Sequence, residues 1–174
     1  YFNFNYKFKK KKKLCGRYAL YDTSKSEFKI SNNIIRYSYN ITPNSLVPVV
    51  VKNNEVQLIN WTFKVSWANK LNIVNARSET LNQKKVFQKV NRCIFIANGY
   101  FEWLRKDKNR IPYYHTFKNR MMYFGGIFNK YGACIVTRQS YPMKKNIHNR
   151  QPVILQYEDF SSWLSFKHDY SCEI

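Results

Sequence analysis

A chain of 174 residues and 21.0 kDa is long enough for one domain with a real core, and an aromatic content of 18% argues against disorder. Lys and Arg total 30 against 10 Asp and Glu, a net charge of +20 that points to a polyanionic partner, nucleic acid before membrane. Cys15, Cys93, Cys134 and Cys172 are widely spaced with no C-x-x-C pair, which argues against a zinc site and a disulfide framework, and no apolar run reaches the ~18 residues of a membrane helix.

Residues 1–13 (YFNFNYKFKKKKK) form a low-complexity tail that holds six lysines, so most of the charge excess is spread over the remainder. Part of that excess is compositional, because Lys, Asn, Ile, Tyr and Phe are abundant, as in proteins of AT-rich genomes. The tail's lysines are not followed by the long apolar segment of a secretory signal, so a reducing cytoplasm is the expected setting. Structure is expected to begin near Cys15-Gly16-Arg17-Tyr18. Leu46 to Val51 and Val56 to Trp61 read as strands joined by a turn at Lys52-Asn53-Asn54. Beyond Asn75-Ala76-Arg77-Ser78-Glu79-Thr80, the spacing of Val86, Phe87 and Val90 predicts a short helical stretch.

Strands then follow closely: Cys93 to Ala97, Tyr100 to Leu104, Tyr113 to Phe117, Tyr123 to Phe128, Ala133 to Thr137, and a last short one at Val153 to Leu155. The turn at Asp107-Lys108-Asn109-Arg110 and the other short connections favour antiparallel pairing. Residues 158–166 read as a helix that buries Phe160, Trp163 and Leu164. The expected class is α+β, dominated by antiparallel sheet with a few short helices, in a single domain over residues 15–174. No G-x-G-x-x-G or G-K-[ST] loop is present, and no cofactor or metal is implied.

The stretch around which the chain is organised is Asn98-Gly99-Tyr100-Phe101-Glu102-Trp103. Gly99 reads as a sharp reversal after a buried strand, from which Glu102 emerges between aromatic side chains. Poor solvation there would raise a carboxyl pKa and prepare it to pass protons near neutral pH. The competing role is a plain ion pair with one of the many Lys and Arg side chains.

Four short segments carry the chemistry: Cys15-Gly16-Arg17-Tyr18, Asn75-Ala76-Arg77-Ser78-Glu79-Thr80, Gly99-Tyr100-Phe101-Glu102-Trp103 and His148-Asn149-Arg150-Gln151-Pro152. Their order and spacing resemble the SRAP family, the SOS-response-associated peptidases or abasic-site-processing proteins. Asn40-Ile41-Thr42-Pro43 is similar to that family's N-x-x-P segment, and Ile135-Val136-Thr137 to the strand ahead of its His loop. The resemblance runs from about Leu14 to Leu164 and implies a fold of twisted antiparallel sheets forming an open barrel.

The resemblance implies that Cys15, once N-terminal, captures the ring-opened aldehyde of an abasic site in single-stranded DNA. Its α-amine forms an imine and its thiol closes a thiazolidine, which only an N-terminal Cys allows. Carried over by position, Asn75 orients the sugar or the Cys15 amine, Glu102 is the acid/base, and His148 shuttles protons. Arg17, Arg77 and Arg150 hold flanking phosphates, with Thr137 also on the DNA side, and Trp67 and Trp103 stack bases or wall the pocket. His115 and His168 match nothing in the family pattern. The implied partner is abasic single-stranded DNA, with no membrane and no obligatory protein partner, and a monomer is expected.

Three departures from the family stand out. Fourteen residues precede Cys15, and Leu14 stands where an initiating Met is expected, so residues 1–14 read either as upstream sequence or as a segment removed by self-cleavage. Trp61-Thr62-Phe63-Lys64-Val65-Ser66-Trp67 lacks the Gly and Pro of the family's W-G-x-x-P-x-W. The C-terminus, soon after Trp163, reads as truncated. Two rival readings are a basic single-strand-binding domain that has lost the chemistry, and a thiol peptidase using Cys15, His148 and Glu102.

Overall fold

The computed structural model describes residues 16–31, 35–68 and 70–165. Cys15, Cys172, His168 and the tail lie outside the described residues. Twelve strands, β1 to β12, run in order as Tyr18–Leu20, Ser38–Ile41, Leu46–Val50, Val56–Asn60, Asn75–Arg77, Asn91–Ala97, Gly99–Lys106, Asn109–Thr116, Met122–Asn129, Gly132–Gln139, Arg150–Pro152 and Ile154–Leu155, followed by the helix α1, Phe160–Ser165. A four-stranded sheet has the order β2-β1-β7-β8. An eight-stranded sheet has the order β11-β10-β9-β6-β3-β4, with β12 beside β9 and β5 beside β10. Every pairing is antiparallel except that of β5 with β10. The expected class is therefore met: mostly antiparallel sheets, not closed, with one short helix.

The apolar run Cys93 to Ala97 forms the centre of β6 and is buried on both faces. Successive side chains point to opposite faces, so the residues of β10 divide between two clusters. Ala133 and Ile135 face the main core with Tyr18, Leu20, Trp61, Phe95 and Phe124. Cys134 and Val136 face a smaller cluster with Phe63, Leu81, Phe87 and Ile127. Burying one such large side chain contributes roughly 1.5–3 kcal/mol. Cys93 and Cys134 are free and fully buried, and burial pushes both thiols well above their ordinary value.

Two local expectations are corrected. Gly99 does not reverse the chain into a hairpin, because β6 and β7 belong to different sheets. Asn98, between them, is the crossing point. Its N–H donates to Ala19 O at 2.8 Å, its Oδ1 accepts from the N–H groups of Tyr21 and Asp22 at 2.7 and 3.1 Å, and its carbonyl accepts from Thr116 Oγ1 at 2.7 Å. Gly99 answers a need for space instead: a Cβ there would lie 2.5 Å from His115 O and 2.6 Å from the Tyr114 ring.

The second correction concerns the helical stretch after Thr80, where the helical element is a single 3-10 turn, Lys85–Phe87; another 3-10 turn, Ser78–Thr80, precedes it. Only Leu81 and Phe87 there reach the smaller cluster as buried residues, and Lys89 at φ 56 ends the run. Near the C-terminus the α-helix starts at Phe160, two residues later than expected. A 3-10 turn, Tyr157–Asp159, carries a reciprocal cap between Gln156 and Asp159 and leads into α1. Trp163 of α1 lies over Gly125, where a Cβ would meet its ring at 2.6 Å, and its Nε1 donates to Cys93 O at 2.9 Å.

Candidate active site

The hairpin of β7 and β8 turns at Asp107, whose φ is 55, and its register pairs Glu102 with Tyr113 and Tyr100 with His115. Alternation sends Tyr100 and Glu102 to one face of β7 and Phe101 and Trp103 to the other. Glu102 is only 3% exposed. It lines a small cleft with Tyr100, His115, Ser140, Ile147, His148 and Arg150. His115 stacks on Tyr100, centroids 4.7 Å apart and planes 24° from parallel. Ser140 is 5% exposed, and among the described residues its hydroxyl has no hydrogen-bond partner. A carboxylate and two imidazoles in one cleft suit proton transfer.

The loop that delivers His148 is held by charge. Arg150 forms a bidentate pair with Glu79, Nη1 to Oε1 at 2.6 Å and Nη2 to Oε2 at 2.8 Å, and Nη2 also donates to Thr137 O at 2.6 Å. The Arg150 hydrogen bonds, foremost, hold the Glu79 carboxyl down at about 2. His148 Nδ1 lies 3.1 Å from the Arg150 N–H and 3.3 Å from the Arg150 carbonyl, so the Arg150 backbone fixes one edge of the imidazole. Arg150 thus positions His148, its charge already neutralised within the protein.

Of the other residues singled out in the sequence, Cys15 lies outside the described residues and Arg17, Asn75, Arg77, Trp67, Trp103 and Thr137 stand outside the cleft lining. Arg17 is exposed, and its Nη1 donates to Asn40 Oδ1 at 2.7 Å. Its carbonyl accepts from Phe101 N–H at 3.0 Å, which sets the stretch following Cys15 beside β7. Asn75 and Arg77 lie on β5, in register with Ile135 and Thr137 of β10. Arg77 is exposed, and Asn75 is half-buried outside the cleft lining. Thr137 is fully buried and donates its hydroxyl to Ala76 O at 3.3 Å, so it ties β5 to β10 and presents no surface to a bound strand. Trp67 is 65% exposed on its loop, whereas Trp103 is half-buried, 6.4 Å from Phe101.

His115, Ser140 and Tyr100 were missed as cleft residues. Counting outward from the Asp107 turn puts His115 opposite Tyr100, which is the signal that could have found it. A wider groove of about 480 Å³ between residues 57–60 and 128–132 has, among the described residues, Lys130 and Tyr131 as its titratable lining. Proton chemistry therefore falls to the smaller cleft. Among the described residues no cluster of His, Cys, Asp and Glu could hold a metal, and no helix is long and apolar enough to cross a membrane.

Three pairs of distant segments thus meet: Arg17 with Asn40, Glu79 with Arg150, and Glu102 with His148 in the cleft. Known proteins resemble this chain in sequence and in fold. The abasic site processing protein YoaM of Bacillus subtilis is 30% identical over 182 residues, covering 88% of this chain and 80% of YoaM. YedK of Escherichia coli, also named an abasic site processing protein, is 23% identical over 176 residues, covering 87% and 79%. HMCES of Xenopus tropicalis, named likewise, is 24% identical over 180 residues, covering 74% of this chain and 54% of HMCES. A crystal structure of a protein from Bordetella bronchiseptica matches with a TM-score of 0.73 at 21% identity, over 87% of this chain and 88% of that one, which shows a shared fold. The family model described as SOS response associated peptidase (SRAP) matches residues 14–173, and the chain belongs to that family.

Proposed function

We propose that this protein processes abasic sites in single-stranded DNA, as part of DNA repair, by capturing the ring-opened sugar covalently through Cys15. The relatives YoaM, YedK and HMCES are named for abasic site processing. The observation that carries the reading is the cleft, in which Glu102, 3% exposed, opens beside His148 and His115.

The Cys15 α-amine adds to the aldehyde carbon, water leaves, and an imine forms. The thiol sulfur then adds to the same carbon, its proton passes to nitrogen, and a thiazolidine results. An ordinary α-amine pKa of about 7.7–8.0 keeps part of the amine neutral at pH near 7. Glu102 and His148 move the protons, and Asn75 orients the sugar. Exposed Arg17 and Arg77 hold phosphates, while Trp67 and Trp103 receive bases. An amide nitrogen cannot form the imine, so removal of whatever precedes Cys15 by the protein's own site belongs to the proposal. The setting is the cytoplasm, where single-stranded DNA arises.

The test uses protein beginning at Cys15 and an oligonucleotide with one abasic site. A heat-stable 1:1 adduct should form without reductant and be absent with intact DNA. Cys15→Ala should give at most an imine that needs reduction to be trapped. Glu102→Gln should slow capture or reversal by roughly 10²–10⁴-fold. An adduct that persists in Cys15→Ala without reductant overturns the assignment of Cys15. Tight binding with no adduct favours a plain single-strand-binding domain.

A further inference from the structure

The face of β7 that turns away from Glu102 carries a continuous band of aromatic rings. Gly99, Phe101 and Trp103 share that face by alternation, and the register brings Tyr114 of β8 opposite Phe101. The Tyr114 and Phe101 rings lie 4.8 Å apart with planes 37° from parallel. Because Gly99 lacks a Cβ, the Tyr114 ring lies against the sheet backbone, 2.6 Å from where that Cβ would be. The Tyr114 side chain lies beside that of Tyr21, just beyond β1, and the two phenols act on one another. Tyr21 in turn stacks on Tyr39 of β2, centroids 4.7 Å apart and planes 22° from parallel.

The band thus crosses all four strands of the smaller sheet, yet it is open to solvent. Tyr39 is 71% exposed, Tyr114 39% and Tyr21 38%. The larger core lies on the other side, with Tyr18, Leu20 and Tyr100. Tyr39 is stacked on Tyr21 by one face and largely exposed, so its other π-face is open to solvent, the kind of surface on which unpaired bases stack regardless of sequence.

The charge on this face suits the same partner. Arg105 and Arg110 are exposed and stand directly opposite one another across the hairpin, on the face of Phe101 and Tyr114. Like charges in that arrangement repel, and a polyanion relieves the repulsion. Arg17 continues the face beside Tyr39, bonded to Asn40. The carboxylates nearby are Asp107, at the hairpin tip, and Asp22, which accepts hydrogen bonds from the N–H and hydroxyl of Ser24. Cations outnumber them.

We propose that the Tyr39–Tyr21–Tyr114–Phe101 band is a second nucleic-acid surface, which stacks unpaired bases of a single strand on the opposite face of β7 from the reacting cleft. It rests on the abasic-site reading for its partner, and it extends the bound strand beyond the lesion to flanking nucleotides that the cleft does not reach.

The test measures anisotropy of a labelled, undamaged oligothymidine with wild type, Tyr39→Ala, Tyr39→Ala/Tyr21→Leu and Tyr39→Phe. Loss of one stacked base should weaken binding roughly 5- to 100-fold. Tyr39→Phe keeps the ring and should bind like wild type. Inorganic polyphosphate, which has charge but no bases, should bind all four proteins alike. Tyr39 is the most exposed ring of the band, so Tyr39→Ala alone decides the matter should the double variant unfold. Oligothymidine binding unchanged in Tyr39→Ala overturns the proposal, as does an equal loss of polyphosphate binding. Adduct formation with abasic DNA, assayed at saturating protein beginning at Cys15, reads the cleft separately. A persisting adduct with unchanged oligothymidine affinity sinks the stacking band and leaves the capture chemistry standing. Weakened oligothymidine binding with no adduct even in wild type supports the band and sinks the capture.

Discussion

Arg150 and Glu79 stand 71 positions apart in sequence and form a bidentate pair. In the sequence Arg150 reads as a phosphate ligand, because nothing in linear order shows that Glu79 reaches it first. Since the Glu79 carboxyl is held at about 2 in the fold, below its ordinary 4.5, the pair's stabilisation is fully present above 4.5 and is lost as pH falls toward 2. The Glu79 side chain is 49% exposed, so the effect should not exceed ~1 kcal/mol. Thermal melts of wild type and Glu79→Gln should therefore differ near neutral pH and converge through that acid window. A difference that stays constant with pH would show that the pair does not form in solution. Glu102 and His148, which the fold brings to one cleft, were legible as candidates because their flanking motifs are distinctive. His115 and Ser140 were not, since each enters the cleft only through strand register and a loop return.

At the scale of elements, long apolar runs bounded by turns read correctly as strands: β3, β4 and β9 fall within a residue of expectation, and β6 and β10 within two. Sheet membership was not legible. The run through Asn98 and Gly99 looks like a hairpin in sequence, yet tertiary pairing sends β6 to β3 and β9 while β7 joins β1 and β8. The three-residue β5 was also hidden, because a strand that short carries no periodicity and exists through its pairing with β10. Gly99 tests this account of the crossing. Gly99→Ala should cost about 1–3 kcal/mol in denaturant unfolding, through the clash with the Tyr114 ring and His115 O. If Gly99 served only to bend the chain, a substitution at its ordinary φ would be nearly neutral.

At the scale of the whole molecule, the net charge of +20 sets the binding regime. Affinity for undamaged single strands should fall steeply with salt, since each neutralised phosphate releases about 0.7 counterion. Arg17→Ala and Arg77→Ala should each flatten the slope of log K against log salt by roughly that amount. A slope unchanged in both variants would remove these two from the phosphate contacts. The fold class was legible at this scale because closely spaced strands with short turns allow little besides antiparallel sheet. The same burial that builds the core also settles a matter of reagent selectivity. Cys93 and Cys134 are free thiols, fully enclosed in neighbouring parts of one sheet and pushed well above the ordinary thiol range. Under the proposed capture through Cys15, these two thiols do not compete for the aldehyde: they stay protonated and out of reach of electrophiles and oxidants for as long as the sheet stays folded.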